Sequence, residues 1–107
     1  MAEPSADPAL IPGLPPEVSA RLLALLTAEP AVREVWLYDS RAMARHRPGS
    51  DIDLTLVAPG LRHQDRLRLM DALDELLLSW SIDLSLHHEL PDSLREHVER
   101  VGRRLVP

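Results

Sequence analysis

The residues best suited to chemistry lie on two short segments of the same pattern. Residues 51–56 read Asp-Ile-Asp-Leu-Thr-Leu, and residues 80–86 read Trp-Ser-Ile-Asp-Leu-Ser-Leu. Successive side chains of a β-strand point to opposite faces. In the first segment Ile52, Leu54 and Leu56 share a face suited to a core, while Asp51, Asp53 and Thr55 share the other. In the second, Trp80, Ile82, Leu84 and Leu86 oppose Ser81, Asp83 and Ser85. Two strand rises put the Cα atoms of Asp51 and Asp53 roughly 6.6 Å apart, so both carboxylates can lean toward one cation or a close pair. If the two strands are neighbours over one core, Asp83 joins them. Aspartate is depleted in strands, and like charges close together on one sheet face destabilise it. A hard divalent cation offsets that repulsion, and Mg²⁺ favours a few carboxylates together with waters and phosphate oxygens. The bland alternative is the solvated face of an antiparallel sheet. The third aspartate, on a second strand of matching pattern, favours a metal site with Asp51, Asp53 and Asp83 as ligands.

The elements that must position these residues follow from periodicity and turn signals. Residues 1–16 hold Pro4, Pro8, Pro12, Pro15 and Pro16 and read as a flexible, proline-rich segment ahead of a domain over 17–107. Pro16 suits the first turn of a helix, along which Val18, Leu22, Leu25 and Leu26 recur until Pro30. Val32 to Tyr38 is rich in β-formers. Asp39-Ser40 follows, Arg41 to Arg45 suits a short helical turn, and Pro48-Gly49 is a turn signal before strand Ile52–Ala58. His63 to Ser79 is amphipathic, with Leu67, Met70, Leu73 and Leu77 on one stripe. Trp80 to Leu86 is a third strand. Asp92 or Ser93 can cap a last helix carrying Leu94, Val98, Val101 and Leu105. The order α-β-(short α)-β-α-β-α, with two or three strands, implies an α/β or α+β layer fold.

Bulk properties narrow the function classes. The chain has 107 residues and a formal net charge of −5, which suits one domain and gives no extended nucleic-acid surface. All of its basic residues are arginine, and Arg41, Arg45 and Arg47 make a local basic strip. There is no cysteine, so disulfides and thiolate metal sites are excluded. No apolar run approaches the roughly 20 residues needed to span a bilayer, and no secretory signal opens the chain. A cytoplasmic protein without membrane contact is expected.

The stretch Tyr38-Asp39-Ser40-Arg41-Ala42, then Arg47-Pro48-Gly49-Ser50-Asp51-Ile52-Asp53-Leu54, resembles the signature of minimal nucleotidyltransferases of the polymerase-β superfamily. That signature is Gly-Ser, about ten residues, then Asp-x-Asp, with a third Asp on a later strand. Ile82-Asp83-Leu84 is similar to the third element, and Leu90-Pro91 with Leu94 to Val106 to the family's final helix. The resemblance covers residues 18–106 and implies a nucleotidyltransferase fold, a small mixed β-sheet with helices packed on it. It also implies a nucleoside triphosphate, ATP above all, and two Mg²⁺ ions held by Asp51, Asp53 and Asp83. Ser40, Arg41, Arg47 and Ser50 would contact the phosphates, since backbone N–H groups at a helix N-terminus and arginines both suit them. On their own residues, without the resemblance, a plain strand-turn-helix with surface arginines is the better reading of that turn.

The implied reaction is attack of an acceptor hydroxyl on the α-phosphorus, with Asp83 helping to deprotonate the hydroxyl and pyrophosphate leaving. So small a chain offers little surface to choose an acceptor, so a partner or a second copy should complete the site. The resemblance implies a helical HEPN protein, encoded beside it, in a toxin–antitoxin pair in which AMP is attached to the toxin. Two positions depart from the signature: its first glycine is Asp39 here, and the glycine five residues later is Ala44. Asp39 puts a carboxylate and a good N-cap where phosphate should bind. The alternative function is therefore a catalytically degenerate module that keeps the fold and neutralises a partner by contact. His87-His88 reads as a surface pair, His46 and His97 as weaker signals, and Trp36 and Trp80 as core.

Overall fold

Pro16 opens the first helix, where its missing N–H is harmless because first-turn N–H groups have no intrahelical acceptor. Helix α1 (Pro16–Thr27) buries Leu22, Leu23 and Leu26. The structure, a computed structural model, describes residues 11, 14–38, 51–76 and 79–106. After α1 come β1 (Glu34–Tyr38), β2 (Ile52–Val57), α2 (His63–Asp74), β3 (Ile82–Leu86), a 3-10 turn (His87–Glu89), α3 (Asp92–Val101) and β4 (Arg103–Val106). The strands form one four-stranded sheet in the order β3-β2-β1-β4. β1 is antiparallel to β2 and β4, whereas β2 and β3 run parallel. The result is an α+β fold, one of the two classes that the element pattern implied, with the small mixed sheet that the resemblance implied.

One face of the sheet makes the core. Val35, Leu37, Ile52, Leu54, Leu56, Leu84 and Leu86 are inaccessible or nearly so, and they pack with Leu22 and Leu26 of α1 and Leu69 and Leu73 of α2. α3 packs on β1, and its Val98 is buried outside that core cluster. The junction of α3 and β4 abuts Trp36, on the opposite face. A Cβ at Gly102 would lie 2.4 Å from the Val98 carbonyl oxygen and 3.2 Å from Trp36 Cε3, so this position excludes a side chain.

The structure corrects several sequence expectations. The final helix ends at Val101 instead of reaching Leu105, because Gly102 turns to an extended backbone (φ −71°, ψ 159°). The following residues form β4, a fourth strand that the helical spacing of Leu94, Val98, Val101 and Leu105 hides. Leu105 sits at an irregularity in the β1–β4 register and is buried in the core. Asp92 is the first residue of α3 instead of its cap, which is Pro91.

The buried stripe of α2 is Leu69 and Leu73, with Leu67 turned outward at 45 % exposure and the helix ending at Asp74. Leu77 lies outside the described residues. β1 and β3 begin at Glu34 and Ile82, two residues later than expected. Trp36 alternates with Val35 and Leu37, so it leaves the core face, and its indole N–H donates to the Glu34 carboxylate at 2.7 Å.

The packed unit also begins before residue 17. Ile11 and Leu14 are buried in the core, and the Ile11 N–H donates to the hydroxyl of buried Ser19 at 3.1 Å. The short helical turn over 41–45 lies outside the described residues. Among the described residues no helix is long and apolar enough to cross a membrane.

Candidate active site

β2 and β3 are held in parallel register, with Ile52 opposite Ile82, Asp53 opposite Asp83 and Leu54 opposite Leu84. The pairing has a local cause. Both strands carry alternating aliphatic residues, and a slip by one residue would turn Leu54 and Leu56, both fully buried, out of the core. Burial of the apolar face thus keeps Asp53 and Asp83 on one polar face, and the observed register sets them side by side, with backbones about 4.8 Å apart. Asp53 is half-buried and Asp83 exposed. Asp51 is exposed, just ahead of β2, and the adjoining Ile52 N–H donates to the Ser81 carbonyl at 2.8 Å, tying that segment to the start of β3.

The next row on the same face is closed. Thr55 pairs with Ser85 on one side and Trp36 on the other. Thr55 is fully buried; its hydroxyl donates to the Ser85 carbonyl at 3.5 Å, and the Ser85 hydroxyl donates to the Leu54 carbonyl at 3.3 Å. Both bonds are long and weak, but they cross between the two strands that carry the aspartates. Glu34, one row further along, accepts from Trp36 and pairs with Arg104 of β4 at 3.8 Å. Along this face Thr55 is fully buried, whereas Asp83 in the neighbouring row is exposed and Asp53 half-buried.

The structure brings Asp53 and Asp83 together, with Asp51 a strand repeat away. Among the described residues no three His, Asp or Glu side chains converge into a group able to hold a metal ion by themselves. Mg²⁺ is seldom caged by protein alone; it takes one or two carboxylates and completes its octahedron with water and substrate phosphate. Two adjacent, accessible carboxylates meet that requirement, and repulsion between like charges directly opposed on neighbouring strands gives them a reason to bind a cation.

Ser40, Arg41, Arg47 and Ser50, with Asp39 and Ala44, lie outside the described residues. His87 and His88 form the turn at the far end of β3, where His87 Nε2 lies 3.9 Å from Glu99, away from Asp83. Sequence reasoning missed Tyr38 as a neighbour of the site. It is the antiparallel partner of Asp53 and is buried to 7 % exposure. Its place at an even step from Trp36 was a signal for its face, but nothing local tells which residue of β2 it opposes.

Residues 21–107 match the family of polymerase-beta nucleotidyltransferases. The chain belongs to that family. Its fold is shared with solved structures of the minimal kind. A chain of a toxin–antitoxin complex with AMP-PNP superposes with a TM-score of 0.70 at 24 % identity, over 80 % of this chain and 70 % of that one. A complex of a tri-AMPylated HEPN toxin from Shewanella oneidensis with an MNT antitoxin gives a TM-score of 0.65 at 22 % identity, over 83 % and 69 %. A protein described as a minimal nucleotidyltransferase gives 0.62 at 30 % identity, over 80 % of this chain and 90 % of that one. No curated protein matches the sequence. This member of the nucleotidyltransferase family thus has the fold of the nucleotidyltransferases that accompany HEPN toxins.

Proposed function

We propose that the protein transfers a nucleoside monophosphate, AMP from ATP, to a hydroxyl of a HEPN-type partner, and so acts as the antitoxin of the pair. The observation that carries this reading is the register of Asp53 against Asp83 on the polar sheet face. Asp53 and Asp83, with Asp51 beside them, have the oxygen donors that Mg²⁺ prefers. Bound there, the cation would offset the charge of the triphosphate and of the departing pyrophosphate. Asp83 is exposed and lies on an edge strand, where an incoming acceptor can reach it. It takes the hydroxyl proton as the acceptor oxygen bonds to the α-phosphorus, and the bond from that phosphorus to the β-phosphate bridging oxygen breaks. Asp51 and Asp53 would hold the cation against which the triphosphate is oriented. Ser40, Ser50, Arg41 and Arg47 are assigned to its phosphates on the signature alone. The likeness to an MNT antitoxin in complex with a HEPN toxin supports the choice of partner, and AMP-PNP in a similar toxin–antitoxin structure supports the choice of nucleotide.

The test is co-expression with the product of the adjacent reading frame, followed by incubation with ATP labelled at the α-phosphate. Label on the partner, dependent on Mg²⁺ and lost in Asp83→Asn, is expected. Wild-type turnover in Asp83→Asn would remove the assigned base. A second reading rests on Asp39, which stands where the family signature has glycine: a module that binds and neutralises its partner without transfer. A stable complex that never labels the partner would favour it.

A further inference from the structure

The strand that carries Asp83 has a partly unpaired outer edge. The Ile52 N–H donates to the Ser81 carbonyl at 2.8 Å, and Ile52 is in register with Ile82. Backbone groups of successive strand residues point to alternate sides, so Ser81, Asp83 and Ser85 turn theirs toward β2. Ile82 and Leu84 turn theirs outward, where the sheet ends. Arg66 of α2 donates from Nη1 to the Leu84 carbonyl at 2.8 Å. Among the described residues no other hydrogen bond reaches this outer edge. The Ile82 N–H, the Ile82 carbonyl and the Leu84 N–H are therefore left to pair with another chain.

A cleft adjoins the same stretch on its core side. Ile82 lines it with Met70, Leu73, Asp74 and Trp80, and its volume is about 70 Å³. One water needs about 10–15 Å³ of such space, so the cleft has room for an apolar side chain. Met70, Trp80 and Ile82 are half-buried. Asp74 is exposed, and so is Asp71, one helical turn before it. The nearby cations of α2 are engaged: Arg66 with the Leu84 carbonyl, Arg68 with Glu29 and Asp65. The rim of the cleft is thus acidic.

Residues directly opposed on neighbouring strands share a face, and the next pair along takes the other face. A residue paired with Ile82 places its side chain at the cleft. The residue beside it falls opposite Asp83, on the polar face. Because Arg66 occupies the Leu84 carbonyl, the edge takes a short stretch only, which also restrains copies of this chain from pairing edge to edge. We propose that an extended segment of the acceptor protein adds to β3 at Ile82, with an apolar side chain in the cleft, the reacting hydroxyl on the adjacent residue and a basic residue toward Asp71 and Asp74. In strand addition, main-chain hydrogen bonds supply affinity and pockets for alternate side chains supply specificity. The inference rests on the transfer reading, in which Asp83 meets the acceptor. It adds where the acceptor is held and which residues flank its hydroxyl.

The probe is the product of the adjacent reading frame, bound to the full chain. Amide exchange followed by NMR should slow at Ile82 and Leu84 in the complex. Asp74→Arg, an exposed change that should leave the urea midpoint unaltered, should bind the partner severalfold more weakly by surface plasmon resonance, chiefly through slower association. Mass spectrometry of the labelled partner should find AMP on a residue next to an apolar one. Unchanged exchange at Ile82 and Leu84 in a formed complex, wild-type affinity in Asp74→Arg, or a modified residue with polar neighbours on both sides would each overturn the proposal. Protection that rises with the concentration of this chain alone would give the edge to a second copy and overturn it as well. A protected edge in a complex that is never labelled would support the docking segment and overturn the transfer reading, together with the place given to the hydroxyl. Failure to form any complex would overturn the choice of partner, and this inference with it.

Discussion

At the scale of residues, the site is a conflict that a ligand can resolve. Asp53 and Asp83 face each other across neighbouring strands, and like charges so placed are destabilising. Asp83→Asn should therefore stabilise the protein slightly in EDTA, measured by urea unfolding, while removing any stabilisation by Mg²⁺. Stability unchanged or lowered in EDTA would mean that the carboxylates do not repel one another. Asp39 poses the complementary problem. Asp39→Gly removes a carboxylate from the expected phosphate turn and restores the signature, so calorimetric titration with ATP and Mg²⁺ should show severalfold tighter binding than wild type. The shared polar face of Asp51 and Asp53, and that of Asp83 on its own strand, were legible because strand alternation and charge are properties of neighbouring residues. Tyr38 as the neighbour of Asp53 was not, because register is a relation between strands distant in sequence.

At the scale of elements, two small residues hold what the strands cannot. Gly102 ends α3 and starts β4 in a space where any Cβ meets the Val98 carbonyl and the Trp36 ring. Gly102→Ala should cost about 1–3 kcal/mol by overpacking, read as a lower urea midpoint with an unchanged slope. Ser19 accepts the N–H of Ile11 in the interior, and Ser19→Ala leaves that buried donor without its acceptor. A loss of about 1–3 kcal/mol is expected, with faster amide exchange at Ile11. A Ser19→Ala protein as stable as wild type would show that the segment before α1 adds nothing to the core. The helices and the first strands could be read from periodicity, but β4 could not. Leu94, Val98, Val101 and Leu105 fit a helix by spacing alone, and only the steric demand at Gly102 and the open edge of β1 make the last residues a strand.

At the scale of the whole molecule, charge sets which ligands need help. The formal net charge is −5, so free ATP and the protein repel, and long-range attraction to nucleic acid is missing. ATP should not bind in EDTA and should bind once Mg²⁺ neutralises part of the triphosphate, as followed by calorimetry. Metal-free binding of equal strength would shift the site away from the carboxylates. α3 and β4 close on Trp36, while Asp83 is exposed on β3 at the edge of the sheet. A hydroxyl offered by another chain can approach there without any part of this chain moving aside among the described residues.

The sequence by itself determined the types of the three helices and the first three strands, the polarity of each strand face and the family signature, because these depend on spacing over a few residues. Only the tertiary structure decided that β2 and β3 run parallel with Asp53 against Asp83, that Tyr38 rather than Trp36 adjoins the pair, that Leu69 rather than Leu67 enters the core, and that the chain ends in a fourth strand. Those outcomes depend on which apolar faces can be buried together, a condition set by the whole core and not by any one segment.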